Sequence, residues 1–194
     1  MERRDAVQLL TMAPLAAAFS WTPDSIREAS ARAREALARG TPYQPKQFTT
    51  HEWDTVRLLV DLIIPKDERS GSATEAAVPE FMDFMLGDDP ELETPVRGGL
   101  AWLDHECDDR YGKTFVACSA AERAALLDAV AWPAKAKPEH AAGVEFFNRF
   151  RDFTAAGFFS SRMGVQDLRY VGNTFVSEWR GCPPEALAKL GVSY

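Results

Sequence analysis

The densest group of potential metal ligands in this sequence is the run Asp-His-Glu-Cys-Asp-Asp at positions 104–109. If the run is helical, His105 and Asp109 lie four residues apart on one face, and a second acidic pair within the run has the same spacing. A metal site needs at least a third ligand, and neither His51 nor His140 has a ligand-type residue four positions away. The pattern therefore favours a solvated acidic helix face with one core cysteine over a metal site.

Three serines, Ser160, Ser161 and Ser177, are the candidates for nucleophilic catalysis. None lies in a Gly-x-Ser-x-Gly turn, and no base lies near them in sequence, so base and nucleophile could meet only through the fold. We expect Ser160 and Ser161 instead to satisfy the last carbonyls of a helix or to start a turn at Gly164.

The sequence has three cysteines, Cys107, Cys118 and Cys182, which permit three different single disulfides with one thiol left over. Cys182 lies in a Gly-Cys-Pro turn, and a disulfide from it could attach the C-terminal segment to the rest of the chain. The alternative is three buried or free thiols. Because no Cys-x-x-Cys pair is present, a zinc ribbon and a thioredoxin-type motif are excluded.

Helices must position these residues, because no run shows the period-two alternation that a half-buried strand requires. The chain has 194 residues, 46% of them hydrophobic, which suits one domain with its own core. The predicted fold class is all-α, with a single helical domain. The net charge of −7 argues against nucleic-acid binding and against attraction to anionic lipid, so any membrane contact would be indirect.

Residues 1–20 are typical of a targeting segment. Arg3 and Arg4 precede an apolar run from Ala6 to Phe19, which is too short for a transmembrane helix of about 20 residues. The paired arginines indicate a twin-arginine signal, and this predicts a periplasmic protein. An amphipathic docking helix is the alternative.

Residues 21–48 are predicted to form an N-terminal arm and linker. The stretch from Asp24 to Arg39 is rich in helix-forming residues but polar on most sides, which favours a loose arm over a core element. Two prolines within residues 41–45 predict an extended linker, because each disfavours helix at the residue before it.

Residues 49–194 are predicted to form the helical domain. The pairs Thr49 with Glu52 and Ser119 with Glu122 have the spacing of a capping box, which marks two helix starts. Gly112 is expected to end a helix. The predicted helices cover residues 49–64, 78–86, 94–111, 119–131, 144–159 and 183–190.

The C-terminal part of this domain is predicted to be irregular, because glycines recur every seven to nine residues with aromatic residues between them. Such a segment needs a surface to lie on, either helices of the same chain or another subunit, since exposed aromatic side chains are costly. Its side chains then either complete the core or anchor a partner. The partner-binding candidates are Phe158, Phe159, Tyr170, Asn173, Trp179 and Arg180.

This glycine-rich block, the turn Gly71-Ser72-Ala73 after Pro65, and the run Val-Pro-Glu-Phe-Met-Asp at 78–83 together resemble a known family. Over residues 51–182 the chain is similar to the gluconate 2-dehydrogenase subunit 3 family, small subunits of membrane-associated sugar and polyol dehydrogenases. The resemblance implies that FAD and the catalytic residues lie on a separate large subunit of the glucose-methanol-choline type, and that a cytochrome c subunit can accept the electrons. It implies a partner for this chain and no active site of its own.

The chain's own motifs agree with that expectation. The sequence has neither a Gly-x-Gly-x-x-Gly fingerprint for a dinucleotide nor a Cys-x-x-Cys-His motif for haem. One alternative is a free-standing periplasmic helical enzyme or ligand-binding protein with a polar pocket of Asp61, His105 and Asn173. Another is an interaction module for a different exported enzyme.

Overall fold

The computed structural model describes residues 21–169, 177–178 and 181–193, and these ranges contain eight α-helices and no strand. The predicted all-α, single-domain fold is confirmed. No helix in these ranges combines the length and the apolar character needed to cross a bilayer. In chain order the helices are α1 (Pro23–Ala38), α2 (Thr50–Ile63), α3 (Val78–Asp88), α4 (Glu93–Tyr111), α5 (Ala120–Ala131), α6 (Ala141–Ser160), α7 (Arg162–Asp167) and α8 (Pro184–Leu190).

Helix α6 is the centre of the core and contacts each of the five helices before it. Phe146, Phe150, Phe153 and Phe158 are all buried along its length, at spacings of three to five residues that keep them towards the other helices. Burying each ring contributes about 2 kcal/mol of hydrophobic stabilisation. The five helices before α6 are therefore packed around one shared aromatic face.

The predicted helix boundaries follow from local hydrogen bonding. Thr49 and Glu52 form the predicted capping box at the start of α2, and Ser119 and Glu122 form the one at the start of α5. Such caps each contribute about 1 kcal/mol. Gly112 ends α4 with φ of +69°, a conformation that glycine adopts without steric cost.

The prediction of a loose arm is wrong for α1. This helix packs along α3 and the end of α6, and it buries Ala29 and Ala33. Ser30 and Ser160 are joined through their hydroxyl oxygens at 2.6 Å, and Arg32 forms an ion pair with Asp88. The buried residues of α1 are alanines, which let the helices approach closely, and apart from Ile26 its packed face lacks the large apolar residues that mark a core helix in a sequence.

The linker between α1 and α2 is held by one buried carboxylate, that of Asp83, whose residue is only 2% exposed. The Tyr43 hydroxyl donates to Asp83 at 2.7 Å, and the backbone N–H groups of Lys46 and Gln47 donate at 2.9 and 2.8 Å. The Phe48 N–H adds a longer bond of 3.3 Å. Burial and the bond to Asp83 raise the pKa of Tyr43. We call Asp83 and these four partners the linker clamp.

The segment after α6 contains a helix that the glycine spacing did not predict. Ser161 begins α7 by accepting a hydrogen bond from the Gly164 N–H at 3.1 Å, and its hydroxyl donates to the Phe158 carbonyl at 2.6 Å. This confirms the predicted roles of the serine pair, because Ser160 also donates to the Gly157 carbonyl at 3.2 Å. The predicted C-terminal helix is present as α8.

Candidate partner interface

The acidic run on α4 lies mostly at the surface. His105 and Asp109 approach within 3.7 Å, and both side chains are well exposed. Asp104 is used differently, because its two oxygens contact His51 at 2.5 Å and the Phe115 N–H at 2.9 Å. Within the described ranges no three His, Cys, Asp or Glu side chains are grouped so that they could hold a metal ion. The exposure of His105 and Asp109 matches the solvated face that the pattern favours.

Two further sets of side chains on and near α4 that could carry chemistry are buried: His140 with its charged neighbours, and a pair of cysteines. His140 is buried, with Nε2 3.1 Å from Arg110 and Nδ1 3.8 Å from Glu106. Cys107 and Cys118 are both buried in the same hydrophobic core. Burial, together with the neighbouring Cys118 thiol, raises the pKa of Cys107 to about 12. A thiol with so high a pKa is almost never a thiolate near neutral pH, so it is a poor nucleophile.

The motifs behind the family resemblance converge at one end of the helical body. A Cβ placed on Gly157 would lie 2.6 Å from the Phe81 ring and 3.2 Å from Val78, so α6 and α3 touch at this glycine. A Cβ on Gly164 would collide with the Phe158 backbone, which explains why α7 can fold back on the end of α6. A Cβ on Gly71 would lie 2.9 Å from Met163 of α7, so the three motifs build one packed unit from the turn at 71–73, α3, the end of α6 and α7.

Between this unit and α1 lies an open groove of about 560 Å³. Its apolar lining includes Ile26, Leu37, Phe81 and Met163, and its polar lining includes the joined hydroxyls of α1 and α6. The elements around it also carry four of the eight large hydrophobic side chains that are exposed within the described ranges. These four are Leu37, Phe159, Val165 and Leu168.

The groove carries an excess of positive charge. Arg27 and Glu75, which both line it, are paired with Asp24 at 2.6 Å and with Lys66 at 3.0 Å. The two other arginines in the lining, Arg34 and Arg162, form no ion pair with any acidic residue in the described part of the chain. In a chain of net charge −7 this is a local reversal of sign.

Two of the predicted partner-binding residues can be located. Phe158 is 1% exposed and belongs to the core, whereas Phe159 is 41% exposed and meets Phe158 edge-on at 5.2 Å. The other four lie outside the described residues: Tyr170, Asn173, Trp179 and Arg180.

Sequence reasoning did not find the groove arginines. Arg34 and Arg162 are far apart in the chain and line one groove only because α1 packs against α6, to which α7 is also packed. Among the groove residues, only Ser161, which begins α7, had a role that the local sequence indicated.

The third disulfide candidate, Cys182, is exposed just before α8.

The alternative polar pocket is not assembled by its two described members. Asp61 accepts a hydrogen bond from the Thr74 N–H at 2.7 Å and so fixes the turn before α3. His105 faces solvent beside Asp109 on α4. The third member, Asn173, is outside the described residues.

Comparison with known protein families agrees with the resemblance read from the motifs. The family model for gluconate 2-dehydrogenase subunit 3 matches residues 50–177, which include the turn at 71–73, the run at 78–83 and most of the glycine-rich block. No curated protein and no solved structure shows significant similarity to the chain. Since the match covers well over half of the chain, this protein belongs to the gluconate 2-dehydrogenase subunit 3 family.

Proposed function

We propose that this chain is a non-catalytic small subunit that binds and stabilises the large subunit of a flavin-dependent sugar or polyol dehydrogenase. The large subunit is of the glucose-methanol-choline type and carries FAD and the catalytic residues. The observation that carries the proposal is the groove, where the motifs that mark the family meet beside exposed apolar side chains and two arginines that have no acidic partner in the described part of the chain.

These features suit a protein partner. Arginine and aromatic side chains supply much of the binding energy in protein interfaces, and an apolar surface surrounded by polar groups favours association. Arg34 and Arg162 are both exposed in the groove lining, so a carboxylate from the partner could reach them and form charge-assisted hydrogen bonds. We therefore assign to the partner an acidic segment that also carries apolar side chains.

Binding would stabilise both subunits by mass action, because the complex forms only from folded chains. We further propose that residues 1–20 are a twin-arginine signal that exports the folded complex to the periplasm, so that the large subunit needs no signal of its own. There a cytochrome c subunit would accept the electrons from the flavin.

The first test is an affinity purification of the tagged, natively expressed chain, with flavin absorbance and mass spectrometry of the proteins recovered. We expect a stoichiometric yellow partner. Recovery of the chain alone, or a large subunit that reaches the periplasm at normal level and activity when this chain is deleted, would refute the proposed function.

A charge-reversal variant tests the groove itself. The double change Arg34→Glu and Arg162→Glu should reduce the recovered flavoprotein at least about 10-fold, since each like-charge contact opposes binding. The control is Arg151→Glu with Lys137→Glu, which makes the same change in net charge at exposed positions outside the groove. If both variants recover equal amounts of flavoprotein, the groove is not the interface, although the subunit function stands.

A further inference from the structure

The interior of the molecule contains two neighbouring thiols that the proposed function does not use. Cys107 lies in the last turns of α4, and Cys118 lies at the end of the loop that leads into α5. Both residues are buried in the same core, and the Phe115 N–H of this loop binds Asp104, one turn before Cys107 on α4.

The loop that carries Cys118 is fixed by contacts that do not involve sulfur. The Phe115 N–H donates to Asp104 at 2.9 Å, and the Phe115 ring is completely buried. The Arg123 guanidinium donates to the carbonyls of Val116 at 3.1 Å and of Cys118 at 2.5 Å. These bonds tie the loop to α4 on one side and to α5 on the other, so they hold Cys118 against Cys107 whether or not the sulfurs are bonded.

We propose that Cys107 and Cys118 form an intramolecular disulfide when the chain meets a disulfide oxidant. A thiolate from one cysteine attacks a sulfur of the oxidant and releases one thiol. The second cysteine then attacks the mixed disulfide and releases the other thiol. The two protein thiols lose two electrons and two protons, and the oxidant's disulfide takes them up as two free thiols.

Oxidation in the folded state should be slow, because the thiolate is the attacking species and burial suppresses it at Cys107. The disulfide forms fast only while the core is open, either before folding is complete or during local unfolding. The bond is therefore a structural crosslink and not a rapidly responding switch. Cys182 is exposed, and pairing it with either buried cysteine would require that cysteine to leave the core.

The test oxidises the full chain with glutathione disulfide in two states, folded and unfolded in urea followed by refolding, and maps the disulfides by mass spectrometry. We expect the peptides containing Cys107 and Cys118 to be linked, with the mass lowered by two hydrogen atoms. The linkage should form much faster from urea. The oxidised protein should melt roughly 5–10 °C above the reduced protein. Adding a reductant should abolish this difference, which would show that the disulfide causes it.

Two variants keep the result decisive. Cys182→Ser should leave the linkage and the melting shift unchanged, whereas Cys118→Ala should abolish both. If the Cys118→Ala variant does not fold, the disulfide map of the Cys182→Ser variant still shows whether Cys107 and Cys118 are linked. A linkage that includes Cys182, or two buried cysteines that remain open to alkylation after oxidation in urea, would overturn the proposal.

Discussion

Helix α3 contributes to two regions that differ in whether their charged groups have bonding partners. In the linker clamp, the buried Asp83 carboxylate receives four hydrogen-bond donors from a single stretch of chain. The groove also includes a residue of α3, Phe81. The two groove arginines, Arg34 and Arg162, have no acidic partner among the described residues. A saturated carboxylate inside the protein is a structural element, whereas unpaired cations beside exposed apolar groups are what a binding surface offers. The run at 78–83 is thus needed for two separate reasons.

The most damaging single change to the clamp should be Asp83→Ala. It leaves three backbone N–H groups of the linker without their acceptor, and we expect the free energy of unfolding to fall by about 3 kcal/mol. Urea denaturation measures this. Asp54→Ala, on the exposed side of α2, is the control and should change stability by less than about 0.5 kcal/mol. A fall of under about 1 kcal/mol for Asp83→Ala would show that the clamp adds little.

On the groove side, Gly157→Ala should cost about 2 kcal/mol, because the new methyl group would press on Phe81 and Val78 and separate α3 from α6. The matched control is Gly98→Ala, also within a helix, where a Cβ meets no atom within 4 Å. That control should be neutral or stabilising by up to about 1 kcal/mol. Equal effects at the two positions would mean that α3 and α6 can move apart without loss.

A smaller effect is expected from Ser161→Ala, which removes the cap of α7. The loss should be about 1 kcal/mol and should be localised, with faster amide hydrogen exchange in α7 and little change elsewhere. Ser161→Thr keeps the hydroxyl and should retain most of the protection. Uniformly faster exchange through α3 and α4 would show that α7 is not an independent part of the groove.

The smallest effect concerns Glu80, which lies on α3 directly before Phe81 and three residues before Asp83. Its residue is 7% exposed, its Oε2 has no hydrogen-bond partner among the described residues, and burial raises the pKa of this carboxyl above the ordinary 4.5. The folded state therefore holds the proton more tightly than the unfolded state, so this stabilising contribution is present at low pH and is lost as the pH rises through the folded pKa.

Glu80→Gln removes that titration. The stability of the variant relative to the unmodified protein should increase as the pH rises from 4 to 8, measured by denaturation at each pH. A relative stability that does not change with pH would show that the carboxyl is already ionised in the folded protein.

The sequence predicted best what depends on nearby residues. The capping boxes at Thr49 and Ser119 and the helix end at Gly112 were readable because each involves residues within a few positions of one another. The packing of α1 and the position of Arg162 were not readable. Both depend on contacts between distant parts of the chain, made through small side chains and backbone that leave no hydrophobic pattern.

The same difference limited the prediction of the site. The glycines at 157 and 164 were recognised as unusual, but their role became visible only when the Phe81 ring and the Phe158 backbone were found against them. Likewise the three possible disulfides could not be reduced to one from spacing, because the position of Cys118 relative to α4 is set by how the loop before α5 is bonded.

The bond between Ser30 and Ser160 joins residues 130 positions apart. During synthesis, α1 leaves the ribosome long before the surface that receives it has been made. Until α6 is complete, α1 can pack only on α3 and one wall of the groove is missing, so the groove is among the last parts of the molecule to form. A chain cut short before α6 would therefore contain every residue of α1 and still present no groove. Under the proposed function, only a finished and folded chain could therefore recruit the large subunit.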